Sequence, residues 1–205
     1  LPINARWSVY GSLPWVRIAD DDESEDFIGN VLAGLKYLKR TGRKTHVFSA
    51  GAYFPTAEED LGFAVFGMIT NGEDLFKYAP NNLTVTGNYS FFHSTEGGAR
   101  LGLEIGPDIL IPTGDNEGDT ELMAHYGVTA GFQTERLLAA VEVMGVVQLS
   151  SEDAEFSDRF LHSANIGACY LSRHLRPGVF YKIYLKDEWR DWVDGVLGVR
   201  IELLM

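Results

Sequence analysis

In the stretch Ala99–Pro112 the odd positions are Ala99, Leu101, Leu103, Ile105, Pro107, Ile109 and Ile111. The even ones are Arg100, Gly102, Glu104, Gly106, Asp108, Leu110 and Pro112. One face is wholly apolar and the other is mostly glycine and charge, which is the two-residue period of a β-strand. The same alternation runs through Glu121–Gln133 and Val193–Leu204, and a helical period fits none of them. Applied along the chain, it predicts ten strands, at about 4–19, 26–39, 44–55, 81–93, 98–112, 120–134, 137–149, 158–171, 175–186 and 192–204. Most are more than twice the ~5–6 residues usual in globular proteins.

The connections between these strands alternate between two kinds. Asp20–Glu25, Thr56–Pro80, Thr113–Asp119, Ser150–Phe156 and Lys186–Asp191 are long or acidic. Arg40–Arg43, Ser94–Gly97, Glu135–Arg136 and Ser172–His174 are short, and several are basic. An even number of strands joined by alternating short turns and longer loops is the pattern of bacterial outer-membrane barrels. Such a barrel closes without a free edge, as a bilayer demands. The expected fold is therefore all-β, a transmembrane antiparallel up-and-down β-barrel of about ten strands. It is a single domain over 1–205, with periplasmic termini.

Aromatic positions support this reading. Trp7, Tyr37, Tyr89, Phe91, Phe132 and Tyr170 fall on the apolar face near the short turns, and Trp15, Phe27, Phe54 and Phe160 near the long loops. Aliphatic residues lie between, as in the two girdles of a lipid-facing surface. A lipocalin-like barrel or a sandwich would share the alternation, but its second face would be wet and rich in Lys, Glu and Thr. Here that face is thick with glycine, which suits the crowded interior of a small barrel. Pro14, Pro107 and Pro177 fall inside strands, where bulges are expected to absorb the missing donors. His162 falls on the lipid face near the outer interface.

Composition narrows the partners. The chain has 205 residues, 45% hydrophobic, and a net charge of −12. That is too apolar for disorder, and the longest apolar run, Phe63–Ile69, is far too short for a membrane helix. The acidic balance argues against nucleic acid. The single cysteine, Cys169, excludes an internal disulfide and a Cys-based zinc site. No metal-ligand spacing is present and no cofactor is expected. Expected partners are the lipid bilayer, lipopolysaccharide and a small solute. The acidic loops Asp20–Glu23 and Asp115–Asp119 read as solvated faces bridged by cations to lipopolysaccharide.

At Ser12-Leu13-Pro14-Trp15-Val16, Gly34-Leu35-Lys36-Tyr37, Phe54-Pro55-Thr56 and Ile111-Pro112-Thr113-Gly114-Asp115 the chain resembles a known group. It is similar to the outer-membrane barrel family of transporters ascribed to the meta-pathway of phenol degradation. Ala57 stands where the first "PTG" motif of that family has glycine. The resemblance implies a membrane barrel and uptake of a hydrophobic or aromatic solute, with no catalytic residues.

By parity the interior receives Arg6, Lys36, Arg100, Arg176, Lys182 and Arg200, against Glu104, Asp108, Glu142, Asp194 and Glu202, with His125 on the same face. Glu104 and Glu142 are expected on either side of Thr129, and Arg176 opposite Arg200 and Glu202. Two readings stand: a narrow polar path whose charges filter solutes, or ion pairs filling a sealed barrel. In the long third-strand connection, Thr56-Ala57-Glu58-Glu59 resembles a capping box, followed by Leu61, Ala64, Val65 and Met68. This segment is expected to fold into the barrel mouth as a constriction, with Phe63, Phe66, Phe76 and Tyr78 contacting a ligand. A loop packed on the rim is the alternative. An enzyme is not expected. His162 and Ser163 are adjacent but point to opposite faces, which is wrong for a base and its nucleophile. The expected function is a channel or transporter for a small solute, against a sealed surface-interaction barrel.

Overall fold

The computed structural model describes residues 3–19, 24–57, 67, 72–114, 118–150, 155–173, 175–191 and 193–203. The chain runs β1 (Trp7–Ser12), β2 (Trp15–Ala19), β3 (Ser24–Ile28), β4 (Val31–Thr41), β5 (Lys44–Phe54), β6 (Asn82–Ser94), β7 (Ala99–Pro112) and β8 (Glu121–Gln133). It continues through β9 (Leu137–Gln148), β10 (Phe160–Tyr170), β11 (Leu175–Tyr184) and β12 (Val196–Leu203). Short 3-10 turns occupy Gly72–Lys77 and Phe156–Arg159, and a single helical turn, α1, spans Asp187–Arg190. Ten strands pair antiparallel in the order β1-β4-β5-β6-β7-β8-β9-β10-β11-β12, and β2 and β3 form a separate hairpin. The protein is thus all-β with meander topology. Among the described residues the two ends of the sheet, β1 and β12, do not pair with each other. Among the described residues no helix is long and apolar enough to cross a membrane.

The first two predicted strands are each broken in two, and the break has a cause. Below it Ser12 pairs with Leu32, and above it Trp15 pairs with Ile28. Leu13-Pro14 therefore faces Gly29-Asn30-Val31, one extra residue on the second strand. Proline has no amide to donate, and the added residue is the bulge that accommodates it. Gly29 N still donates to Pro14 O, at 2.9 Å, so the chain bends without parting. A one-residue insertion exchanges the faces of everything beyond it. Phe27, which parity places among the lipid-facing aromatics, accordingly turns inward and is buried, while Ile28 is exposed.

Pro107 and Pro177 need no bulge, contrary to expectation. On β6 and β7, Thr86 pairs with Asp108 and Tyr89 with Ile105, leaving two residues between on each strand. The register is unshifted and the ladder simply lapses there, while Pro107 remains paired with Ala124 on its other side. Pro177 pairs with Ile201 on β12, and the β10–β11 ladder stops one residue short of it, at Gly178.

The period-2 pattern sorts the faces as expected. The convex side is apolar and exposed, for example at Leu101 (59%), Leu103 (55%), Ile105 (58%), Val199 (73%) and Ile201 (65%). The concave side is buried. Leu32, Tyr53, Leu110, Met123, Val146, Leu161 and Tyr184, from β4, β5, β7, β8, β9, β10 and β11, meet in one cluster around Phe76. Strands that far apart in order can share a cluster only because the sheet curls strongly.

Aromatic rings knit the convex surface. Trp7, Tyr37, Phe48 and Tyr89 are in register across β1, β4, β5 and β6, with successive ring centroids 4.9, 6.3 and 5.0 Å apart. Further round, Tyr126 lies flat over Gly145 of the neighbouring strand, and its hydroxyl meets His162 Nε2 on the strand beyond, at 2.6 Å. A Cβ on Gly145 would sit 2.5 Å from the Tyr126 ring. Gly145→Ala should lift the ring, break the bond to His162 and cost about 1–2 kcal/mol. In a Tyr126→Ala background the same change should cost little. Chemical unfolding of the four proteins of this cycle checks the coupling; additive effects would refute it.

Candidate functional site

The concave face divides into an apolar half toward the long loops and a polar half toward the short turns. The apolar half is filled by the end of the 56–80 connection. Its 3-10 turn packs against β9 and β10, with Phe76 buried against Tyr53 at a centroid distance of 5.1 Å. Leu75 joins the same cluster from the rim, and Tyr78 is buried beside Gly67, which could not carry a Cβ without striking the tyrosine ring.

One residue fixes this segment. Asn30, the extra residue of the bulge, is wholly buried. Its side-chain amide donates to Phe76 O at 2.8 Å and Ala79 O at 2.7 Å. Its side-chain carbonyl accepts from Thr56 N at 3.0 Å and Ala57 N at 2.9 Å. Its own backbone N–H donates to Lys77 O at 2.7 Å. Thr56 completes the joint, with its hydroxyl donating to Gly29 O and accepting from Val31 N. Both ends of the connection are thereby tied to the point where the β1–β4 hairpin bends. Sequence reasoning missed Asn30 because a single asparagine between two strand patterns carries no periodic signal; its bulge partner Pro14 was the available clue.

Below the cluster the polar side chains pair in sequence down the strands. Asp108 is fully buried and its Oδ2 meets His125 Nδ1 at 2.6 Å. Glu104 accepts from Ser90 Oγ at 3.0 Å, and Glu142 accepts from Thr129 Oγ1 at 3.0 Å. Glu142 thus stands beside Thr129 as expected, whereas Glu104 lies opposite Gly127 and turns to Ser90 on its other side. Arg100 stacks its guanidinium 4.4 Å from the centroid of Phe92 and donates to Gln133 Oε1 at 3.3 Å. Lys36 lies 5.2 Å from the ring centroid of Tyr10, and that ring spreads over Gly34 and Gly51, where a side chain would collide with it. Lys182 is almost wholly buried, 5.3 Å from the centroid of Tyr184.

A cavity of about 520 Å³ lies in this half. It runs from Lys77 and Lys182 beneath the 3-10 turn to Leu138 and Cys169 near the short turns, with Phe92, Arg100, Glu142 and Phe180 on its walls. Of the residues expected in the interior, the cavity brings together Arg100, Glu142 and Lys182. Asp108, His125 and Glu104 stand apart from it, higher on β7 and β8 or turned to Ser90. Arg176 is in register with Glu202, and Gly178 with Arg200, while the side chains of Arg200 and Glu202 lie outside the described residues. Arg6 and Asp194 precede β1 and β12 and are exposed. Phe63 and Phe66, most of the capping-box segment, Asp20–Glu23 and residues 115–117 of the acidic loop also lie outside the described residues. His162 points to the convex side and Ser163 is buried on the concave side. No group of three or more potential metal ligands occurs among the described residues.

At the long-loop end, Lys186 bridges Glu188 at 3.1 Å and Asp158 at 3.3 Å. These hydrogen bonds to Glu188 and then Asp158 hold its ammonium above the usual lysine value. The lysine's contribution to the tie between the two loops is present below the usual lysine value and is lost as pH rises through the elevated one.

Replacing Asn30 by alanine leaves two buried carbonyls and two amides without their partner, at a cost of about 3–5 kcal/mol. The loss should appear first as rapid proteolytic cleavage within 56–80. Asn30→Asp should not rescue it, because a carboxylate cannot donate to Phe76 O and Ala79 O. Wild-type resistance of either variant would show that the joint does not hold the segment. No family model matches the chain, and no curated protein is significantly similar to it.

Proposed function

We propose that this chain is an outer-membrane β-barrel that admits a small solute, with its inner cavity facing the periplasm and its outer half gated by the 56–80 connection. The observation that carries the proposal is the inverted surface. The exposed convex face is a continuous band of Leu, Ile, Val and aromatic side chains, whereas charged and hydroxyl groups line the concave face. An apolar surface of that extent is untenable in water and natural in lipid. The strands of the ten-stranded sheet from β4 to β11 run 10 to 14 residues, which matches the ~9–11 a tilted strand needs to cross a bilayer. In hydrocarbon the backbone groups at the edges of β1 and β12 would have no water to bind, so the bilayer favours their pairing into a closed barrel. The acidic loops then face outward toward lipopolysaccharide.

A sealed barrel is the second reading, and the filled outer half around Phe76 favours it. Release of the connection separates the two. In planar bilayers the wild type should show small, infrequent openings, and Asn30→Ala should raise single-channel conductance about twofold or more by freeing the mouth. Silence from both proteins would leave the sealed barrel. A chain that stays monodisperse in buffer without detergent would remove the membrane assignment altogether.

A further inference from the structure

The chain carries a net charge of −12, yet the cavity wall reverses that sign. Three cations, Lys77, Arg100 and Lys182, line it against one carboxylate, Glu142, among the described residues. Each is held by a different element: Lys77 by the 3-10 turn above, Arg100 by β7 and Lys182 by β11. Arg100 meets neutral groups, the Phe92 ring and the Gln133 amide oxygen. Between the cations the wall mixes Thr129 and Asn165 with apolar groups, among them the rings of Phe92 and Phe180. Within low-dielectric walls an excess of one sign acts strongly on a small ion.

We infer that this cavity takes a small organic monoanion with a compact apolar body, such as an aromatic or branched carboxylate. The carboxylate is drawn to the cationic wall, and its body is covered by Phe92 and Phe180. A volume of about 520 Å³ lies within the range of small-molecule sites, ~300–1,000 Å³. This assignment deepens the proposed solute passage and rests on the cavity being reachable from the periplasmic end.

The single cysteine supplies a native probe, since Cys169 lines the cavity near the short turns. The full chain in detergent is labelled with an anionic and a cationic methanethiosulfonate reagent, each rate divided by that for 2-mercaptoethanol. The anionic reagent should be favoured about fivefold or more, and Arg100→Gln should cut that preference at least in half. Benzoate should protect Cys169, benzyl alcohol should protect less, and benzylammonium not at all. Far-UV circular dichroism confirms that the variant is folded. Equal normalised rates, a cationic preference, equal protection by benzylammonium, or no labelling by either reagent would each overturn the inference. Labelling in detergent does not depend on conduction. Anionic preference in a protein that never conducts would sink the passage and leave the anion site. Conduction without anionic preference would do the reverse.

Discussion

A connection lying against the concave face of a curled sheet brings backbone groups that the sheet satisfies only at its bulge, since the ladder elsewhere engages its own donors and acceptors. Asn30 resolves this constraint, and the arrangement of the long-loop end of the concave face depends on it. Its amide and carbonyl face opposite ways, so one side chain accepts from the start of the connection at Thr56 and Ala57 and donates to its end at Phe76 and Ala79. Only asparagine or glutamine offers two N–H donors together with a carbonyl that accepts twice, and the shorter arm is the stiffer. Joining the two ends at one buried point meets the entropy of closing the loop once. Phe76 is then delivered to the centre of the seven-strand cluster.

Asn30 reaches that position only because Pro14 breaks the hairpin. The missing amide of Pro14 calls for a bulge, the bulge adds a residue on the opposite strand, and that residue is Asn30. The same insertion turns Phe27 inward. A covalent peculiarity of one residue thus sets the facing of an aromatic thirteen positions later, through register alone.

What the sequence made legible, and what it hid, divides along this line. The strands from β5 to β11 follow from a strict two-residue period, which survives any uncertainty about their ends, and the facing of Arg100, Asp108, His125 and Lys182 follows with it. The split of the first hairpin is invisible because apolar positions continue through Leu13 and Trp15 as though nothing had changed. The Tyr126–His162 bond is invisible for another reason. It spans three strands and exists only because the middle one presents Gly145, so no pairwise reading of hairpins finds it. The pairing of Glu104 with Ser90 rather than across Thr129 follows from register, since Glu104 stands opposite Ser90 on β6 and Gly127 on β8, while Thr129 stands opposite Gly102.

β7 shows how one strand builds a graded interior. Its concave positions below Pro112, taken from the loop end to the turn end, are Leu110, Asp108, Gly106, Glu104, Gly102 and Arg100. Leu110 belongs to the cluster around Phe76, and Arg100 belongs to the cavity. Between them two carboxylates are each tied to a neighbouring strand, Asp108 to His125 on β8 and Glu104 to Ser90 on β6. The glycines carry no side chain into the interior, and each admits a neighbour's ring, His125 over Gly106 and Phe92 over Gly102. The Phe92 ring so admitted is the one Arg100 stacks on. The absence of a side chain at Gly102 is therefore what holds the cation at the cavity wall, and the glycine richness of this face is part of its electrostatics as much as of its packing.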